Sequence, residues 1–240
     1  MDTQINQLLD NINNFIKGTE LNEITVNGFV FKKLKFNQNG FAIFSEETYE
    51  PNESKLKDYQ AKYRYYYYEK LNSPNGKNGS LVYLMFNPAA ASPYKDDATI
   101  KNCKKLAENN EYGSIEIINL FAERNPVIKD LNLDENNFNN EFIHEFINKR
   151  KDINIVIACG KTQGKKHSEK ICDLIKSCTN KYIIQINGKN ELKQDSSNKD
   201  LCLINRHPAN QPWSKYGGFD KAAKLYKCEN QPKTPIVNKC

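Results

Sequence analysis

The sequence predicts an α/β protein: a three-layer α/β/α sandwich with a central, mostly parallel four-stranded sheet, preceded by an N-terminal helix and hairpin. Two observations favour this fold class. Beyond residue 80, short apolar runs of strand length alternate with helical patterns of roughly ten to fifteen residues. Such alternation implies parallel strands with helices on both faces of the sheet. A chain of 240 residues is also long enough for one large domain with an extension.

Composition narrows the possible function classes. The chain has 12 Phe and 13 Tyr, which are too many for a chain that stays unfolded. No stretch approaches the roughly 18 apolar residues of a membrane span, and the first residues lack a secretion signal, so we expect a cytoplasmic protein without membrane contact. The seven cysteines contain no CxxC pair, which predicts reduced thiols and no metal site. A net charge of +6 suits a polyanionic partner without establishing one.

The first sixty residues are predicted to form an extension packed on the core. Apolar residues have helical spacing over residues 3–17, and Gly18 would end that helix. Over residues 28–44, two apolar runs flank a polar segment, which predicts a hairpin with its turn at Asn39-Gly40. The predicted division of the chain is an extension over 1–60, an α/β/α domain over 61–228 and a loose tail over 229–240.

The predicted domain begins with the tyrosine-rich segment 62–71, which could be a strand or a helix flank. This segment is interpreted as the edge of the core or, alternatively, as a surface on which bases stack. The hydrophobic pattern then predicts strands at 81–87, 115–120, 153–159, 182–186 and 201–204, and helices at 98–109, 136–149, 165–177 and 219–227.

Three of these predicted strands end in polar residues that strand burial does not explain. Asn87 follows the first strand, Asn119 ends the second, and His207 follows the last. Because parallel strands place their carboxyl ends at one edge of a sheet, these side chains could converge on a ligand site. Each also has a structural alternative, since Asn starts turns or caps helices and a His before Pro is common in loops.

Acidic and charged pairs lie close to the first two strand ends. Asp97 or Thr99 could be the N-cap of the following helix, or a carboxylate from Asp96-Asp97 could activate water or bind a metal. The pair Glu123-Arg124 could be a surface ion pair or a contact to phosphate. The sequence leaves both alternatives open.

At these positions the chain resembles the uracil-DNA glycosylase superfamily, and in particular a branch of small proteins with NPS-A, DDPTI and NLFA motifs. The corresponding segments read FNPAAAS, DDATI and NLFAERNP, and the later segments HPANQ and YGGF are similar to the loop that enters DNA in that superfamily. The resemblance extends from about Tyr63 to Lys227 and does not cover the first sixty residues.

The resemblance implies a role for each strand end. Asn87 would position the attacking water, Asn119 would pair with the edge of a flipped base, and His207 would donate a hydrogen bond to the base as negative charge develops on it. An amide cannot remove a proton, so Asp97 is a candidate to assist the water. The residues expected to line the base pocket are Pro88, Ala89, Ala90, Asn119 and Phe121.

Flipping a base out of DNA needs phosphate contacts and a side chain that fills the gap. Gln211 or Trp213 could be this wedge, although Trp213 could equally be a core residue or a stacking platform. The residues expected to contact DNA are Lys161, Lys165, Arg206, Gln211, Trp213 and Lys215.

One departure from the superfamily bears on the substrate. Uracil-specific members have a Tyr directly after the Asp-Pro motif, where its ring blocks carbon 5 of the pyrimidine, and this chain has Ala89 there. The resemblance therefore implies a monofunctional, cofactor-free DNA glycosylase that removes a 5-substituted pyrimidine from double-stranded DNA, in antiviral defence or in DNA repair. The alternatives are a nucleic-acid binding module of the same fold without turnover, and a hydrolase of free nucleosides or nucleotides.

Overall fold

A computed structural model describes residues 2–18, 22–26, 29–46, 61–72, 76–88, 97–125, 137–150, 152–160, 163, 166–186, 207–208, 219 and 223–228. The helices are α1 (Asp2–Ile16), α2 (Ala98–Glu108), α3 (Asn137–Asn148) and α4 (Ser168–Leu174). The strands are β1 (Glu23–Val26), β2 (Phe29–Asn37), β3 (Gly40–Ser45), β4 (Arg64–Lys70), β5 (Ser80–Met85), β6 (Ser114–Asn119), β7 (Asn154–Ile157), β8 (Asn180–Ile186) and β9 (Ala223–Lys227).

The strands of the described residues join in one nine-stranded sheet with the order β1-β2-β3-β4-β6-β5-β7-β8-β9. Only β5 with β6, β5 with β7, and β7 with β8 are parallel pairs, and the other five pairs are antiparallel. The predicted sandwich around a four-stranded, mostly parallel sheet is therefore wrong. Strands β6 and β8 are the outer strands of the parallel part of the sheet, and alone they would expose unpaired backbone groups. The antiparallel strands β4 and β9 pair with these groups.

Most individual elements agree with their sequence patterns. The predicted hairpin of β2 and β3 is present, but Asn37 pairs with Gly40, so the turn is at Gln38-Asn39, one residue before the predicted position. The backbone N–H of Asn39 donates to the side-chain oxygen of Asn37 at 2.7 Å. Helix α1 ends before Gly18, whose φ of 104° favours glycine. The tyrosine-rich segment is the strand β4, and helices α2 and α3 lie within a residue or two of their predicted bounds.

The predicted helix over 219–227 is wrong, because residues 223–227 form strand β9, antiparallel to β8. Ala223 is buried while the next residue, Lys224, is exposed. Neighbouring residues of a strand face opposite sides of the sheet, which agrees with this difference. The predicted strand 201–204 and the predicted tail 229–240 lie outside the described residues. The division of the chain at residue 60 stays a prediction.

Helices lie on both faces of the sheet. Residues of α1, α3 and α4 share one buried cluster with one face of the parallel strands, called here the α1 face. Residues of α2 share a second cluster with the opposite face, called here the α2 face. Within the described part of the chain, no helix is long and apolar enough to cross a membrane.

An ion pair between a buried carboxylate and a half-buried guanidinium lies on the α1 face. Glu116 on β6 is fully buried, and both its oxygens accept hydrogen bonds from the guanidinium of Arg150, at 2.5 and 2.8 Å. The hydroxyl of Tyr66 on β4 also donates to Glu116 at 2.6 Å. Burial raises the pKa of Tyr66 well above its ordinary value, and the negative charge of Glu116 raises it further. This network fastens β4 to β6.

Replacing Glu116 by Gln should lower the free energy of unfolding by about 3 kcal/mol, because the half-buried guanidinium of Arg150 loses its counter-charge and the hydroxyl of Tyr66 loses a charged acceptor. The midpoint of a urea titration at unchanged slope measures this loss. As a control, Lys32→Gln removes an exposed pair with Glu46 whose atoms are 3.7 Å apart, and should cost less than about 1 kcal/mol. Equal effects of the two substitutions would contradict the structural role of Glu116.

Candidate functional site

The carboxyl ends of the parallel strands bring several of the predicted site residues to one edge of the sheet. Asn119 is the last residue of β6 and pairs with Met85 on β5, and Asn87 follows Met85 by two residues. Ile115 and Ile117 lie on the α2 face, so the alternation of β6 places Asn119 on that face too. The register therefore brings these two residues to the same end of neighbouring strands.

The side chain of Asn119 is 1% exposed, and neither its nitrogen nor its oxygen has a hydrogen-bond partner among the described residues. Its backbone carbonyl, by contrast, accepts a bond from the side chain of Asn139 at 3.0 Å. A buried amide that makes no hydrogen bond costs free energy, and such groups in native proteins call for an explanation. A bound ligand would provide the missing partners.

The amide of Asn87 is held in a fixed orientation. Its nitrogen donates to the backbone carbonyl of Asn125 at 2.8 Å, so the side-chain oxygen is directed away from that carbonyl. Pro88, the next residue, is buried. Asn87 can therefore accept a hydrogen bond from water or from a ligand at this edge.

His207 lies next to the end of β7 and the first turns of α2. Its Cβ is 3.4 Å from the position that a Cβ on Gly160 would take, and the carbonyl of Pro208 accepts from the side chain of Asn102 at 2.7 Å. Burial lowers the pKa of His207 to about 4, against the opposite effect of the carboxylate of Asp97. His207 is therefore neutral at pH 7 and can donate one hydrogen bond.

Asp97 is the N-cap of α2, since its side chain accepts from the backbone N–H of Ile100 at 2.8 Å. The N-cap alternative from the sequence is thus confirmed for Asp97. Its charge also raises the pKa of both His207 and Arg64, which places the carboxylate near these two side chains. One residue therefore caps the helix and contributes negative charge to the site.

Arg64 is a site residue that the sequence analysis missed. It begins β4, its backbone N–H donates to the carbonyl of Ala122 at 2.8 Å, and its side chain is on the α2 face beside Tyr67. It is 4% exposed, and its Nε has no partner among the described residues. Burial lowers the pKa of Arg64, and the charges of Tyr67 and Asp97 act in the opposite direction. The signal in the sequence that could have identified Arg64 is its position as an arginine within a run of tyrosines.

Phe121 lies away from these residues. Its ring packs against Phe86 at 5.1 Å and His167 at 5.3 Å, both measured between ring centroids, and it belongs to the cluster on the α1 face. The structure therefore does not bring Phe121 to the face that holds Asn119. We call the set that it does bring together, namely Arg64, Asn87, Asp97, Asn119 and His207, the strand-end cluster.

The remaining predicted site residues are Ala89, Ala90, Lys161, Lys165, Arg206, Gln211, Trp213 and Lys215, and they lie outside the described residues, as does Asp96. Glu123 and Arg124 are both buried, and the Arg124 side chain donates to the carbonyl of Ala61 at 2.9 Å, so they are not an exposed surface pair. The described residues contain no group of three or more His, Cys, Asp and Glu side chains that could hold a metal ion.

The fold and the strand-end cluster define a mixed α/β protein with a candidate ligand site at the carboxyl ends of its parallel strands. A family model described as Protein of unknown function (DUF1643) matches residues 64–197, more than half of the 240-residue chain. The chain therefore belongs to the DUF1643 family. The matched range includes Arg64, Asn87, Asp97 and Asn119 and ends before His207. Comparisons with curated proteins and with solved structures give no match.

Stability should depend on pH through His207. The folded-state pKa of about 4 lies below the ordinary value of 6.5, so the unfolded chain takes up a proton first as the pH falls. The contribution of neutral His207 is complete above pH 6.5 and is lost as the pH falls towards 4, by at most about 3 kcal/mol. Urea titrations across this range should therefore show a shallower decline for His207→Gln than for the wild type.

The matched control for this experiment is His144→Gln, because the side chain of His144 is 58% exposed on α3. This variant should keep the wild-type dependence on pH. If His207→Gln declines as steeply as the wild type, burial of a neutral His207 is refuted.

Asn119→Leu should keep or raise the stability of the free protein, by about 1 kcal/mol, because it removes a buried amide without partners. Asn139→Leu is the matched control on the neighbouring helix. It removes the donor to the carbonyls of Asn119 and Leu120, at 3.0 and 3.1 Å, and should cost about 1 to 2 kcal/mol. Thermal unfolding of both variants measures the difference, and a large loss in Asn119→Leu would show that its amide has partners in the free protein.

Proposed function

We propose that this protein is a DNA glycosylase that binds a flipped, 5-substituted pyrimidine at the strand-end cluster and hydrolyses its N-glycosidic bond. The observation that carries the proposal is the buried amide of Asn119, which has no partner among the described residues. A pyrimidine edge presents adjacent donors and acceptors, and a side-chain amide complements such an edge. The resemblance of the NP, DDATI and NLFA segments to glycosylases supports the same chemistry.

Breaking an N-glycosidic bond leaves negative charge on the departing base and positive charge on the sugar. In the proposed mechanism, neutral His207 donates a hydrogen bond to the base, and Arg64 adds a fixed positive charge nearby. Asn87, oriented by its bond to the carbonyl of Asn125, accepts a hydrogen bond from the attacking water. Asp97 would take up the proton of that water, and its negative charge would stabilise the positive sugar.

The substrate and setting belong to the same proposal. The sequence has Ala89 where uracil-specific glycosylases have Tyr, and this smaller side chain would favour a bulky 5-substituent over plain uracil. The net charge of +6 complements duplex DNA, and a role in antiviral defence or DNA repair would place the protein in the cytoplasm.

Base release from DNA should depend on Asn87 and His207. Alkali-induced cleavage reports abasic sites on duplexes that contain uracil, a thymine mismatch or a glucosylated 5-hydroxymethylcytosine. We expect activity on the last substrate, reduced about 100-fold by Asn87→Ala and by His207→Ala, because each removes a group that acts in the transition state.

The control Asn11→Ala replaces an exposed amide on α1 and should keep full activity. No base release from any duplex, with the wild type and Asn87→Ala indistinguishable, would exclude the enzyme. Activity on free nucleosides with little dependence on salt would instead favour a small-molecule hydrolase, because duplex binding weakens steeply with salt.

A specific observation favours a second candidate function, namely DNA binding without turnover. Neither the Asn87 amide nor a histidine with a pKa of about 4 is a good base at pH 7, and one oxygen of Asp97 is engaged as a helix cap. Salt-dependent duplex binding that survives Asn87→Ala and His207→Ala, without abasic sites, would establish this function.

A further inference from the structure

A cavity of about 300 Å³ lies at the end of the sheet opposite to the strand-end cluster. The end of α1, the β2–β3 hairpin and the end of β4 surround it. Lys70 of β4 pairs with Ser114, the first residue of β6, whereas Asn119 is the last residue of that strand. The two sites are therefore separated by about the length of β6.

Strand register places a set of cationic and aromatic side chains on one face at this cavity. Lys35 is opposite Phe41, and Phe41 is opposite Tyr68. Lys33 and Lys70 lie two residues along from Lys35 and Tyr68 on the same strands, so all five side chains share a face. Helix α1 covers this face up to its last residue, Ile16. The five side chains lie at that end of the helix and line an open cavity, called here the lysine cavity.

Among the described residues, the charged side chains that line the lysine cavity are all cationic. Lys33, Lys35 and Lys70 line it, and none of its lining residues in the described part of the chain is acidic. Like charges held around one hollow repel one another, and a bound anion removes that repulsion. A phosphate monoester carries a charge of about −1.5 to −2 at pH 7, which complements such a set.

The walls of the cavity are fixed, and they offer ring surface as well as charge. The ring of half-buried Tyr68 has its centroid 5.4 Å from that of Phe41. The ammonium of Lys33 is 4.1 Å from the ring centroid of Phe15, which holds this lysine in place. The backbone N–H of Lys70 donates to the carbonyl of Asn39 at 2.8 Å and so ties the hairpin turn to β4.

We propose that the lysine cavity binds a phosphate monoester attached to a flat aromatic ring, such as a nucleoside monophosphate. Lys35 and Lys70 bind the phosphate, and Tyr68 contacts the ring. The volume of about 300 Å³ is within the range of small-ligand sites, roughly 300 to 1,000 Å³. The site is separate from the strand-end cluster and does not depend on glycosylase activity.

Isothermal titration calorimetry of the full chain with adenosine 5′-monophosphate tests the proposal. The wild type should bind this probe more tightly than it binds adenosine or inorganic phosphate. The double variant Lys35→Gln/Lys70→Gln should weaken binding at least about tenfold, because two charged contacts are lost. The control Lys149→Gln/Lys176→Gln removes two exposed lysines from elsewhere and should bind as the wild type does.

Three results would overturn the proposal: no binding of the monophosphate to the wild type, equal weakening in both double variants, or binding of long DNA without binding of the monophosphate. Base release measured on the same preparations separates this site from the proposed function. Lys35→Gln/Lys70→Gln should leave base release unchanged, whereas Asn87→Ala should leave binding of the monophosphate unchanged.

Discussion

The pairing of β4 with β6 is the constraint on which the rest of the structure depends. It joins the parallel strands to the antiparallel ones, and the bonds of Glu116 to Tyr66 and Arg150 fasten it from the α1 face. Strand β4 has Arg64 at one end and Lys70 at the other. Strand β4 runs from the end of the sheet that holds the strand-end cluster to the end that holds the lysine cavity. Its pairing with β6 therefore positions both sites.

Buried polar groups of the core differ in whether they have hydrogen-bond partners. Glu116 is fully buried, yet each of its oxygens accepts at least one hydrogen bond. At the carboxyl ends of the strands, the side chain of Asn119 and the Nε of Arg64 have no partner within the described residues. Other buried polar atoms without a partner within the described residues, such as Oδ1 of Asn6 on α1 and Oε2 of Glu141 on α3, lie outside this cluster. At the candidate site, a ligand would gain the hydrogen bonds that the free protein lacks.

Local patterns in the sequence were sufficient for most elements, because periodicity and turn chemistry act over a few residues. The hairpin of β2 and β3, whose turn lies one residue before the predicted one, and helix α2 are examples. The extent of the sheet was not predictable in this way, since pairing between β3, β4 and β6 depends on residues far apart in the chain. At the site, Asn119 could be predicted from its position at a strand end. The sequence did not predict the face on which Phe121 packs or the position of Arg64 beside the strand-end cluster. Both depend on the pairing of β4 with β6.

For the proposed glycosylase reaction, the groups at the strand-end cluster favour stabilising a departing base over activating water. The amide of Asn87 is not a base at pH 7, and half-buried His207 is neutral, with a pKa that desolvation lowers to about 4. The described cluster has Asp97 as its carboxylate, and one oxygen of that carboxylate caps α2. Donors and positive charge aimed at a leaving group act without a strong base, because much of the bond breaks before water adds. The proposed reaction would therefore depend mainly on stabilisation of the departing base by His207 and Arg64.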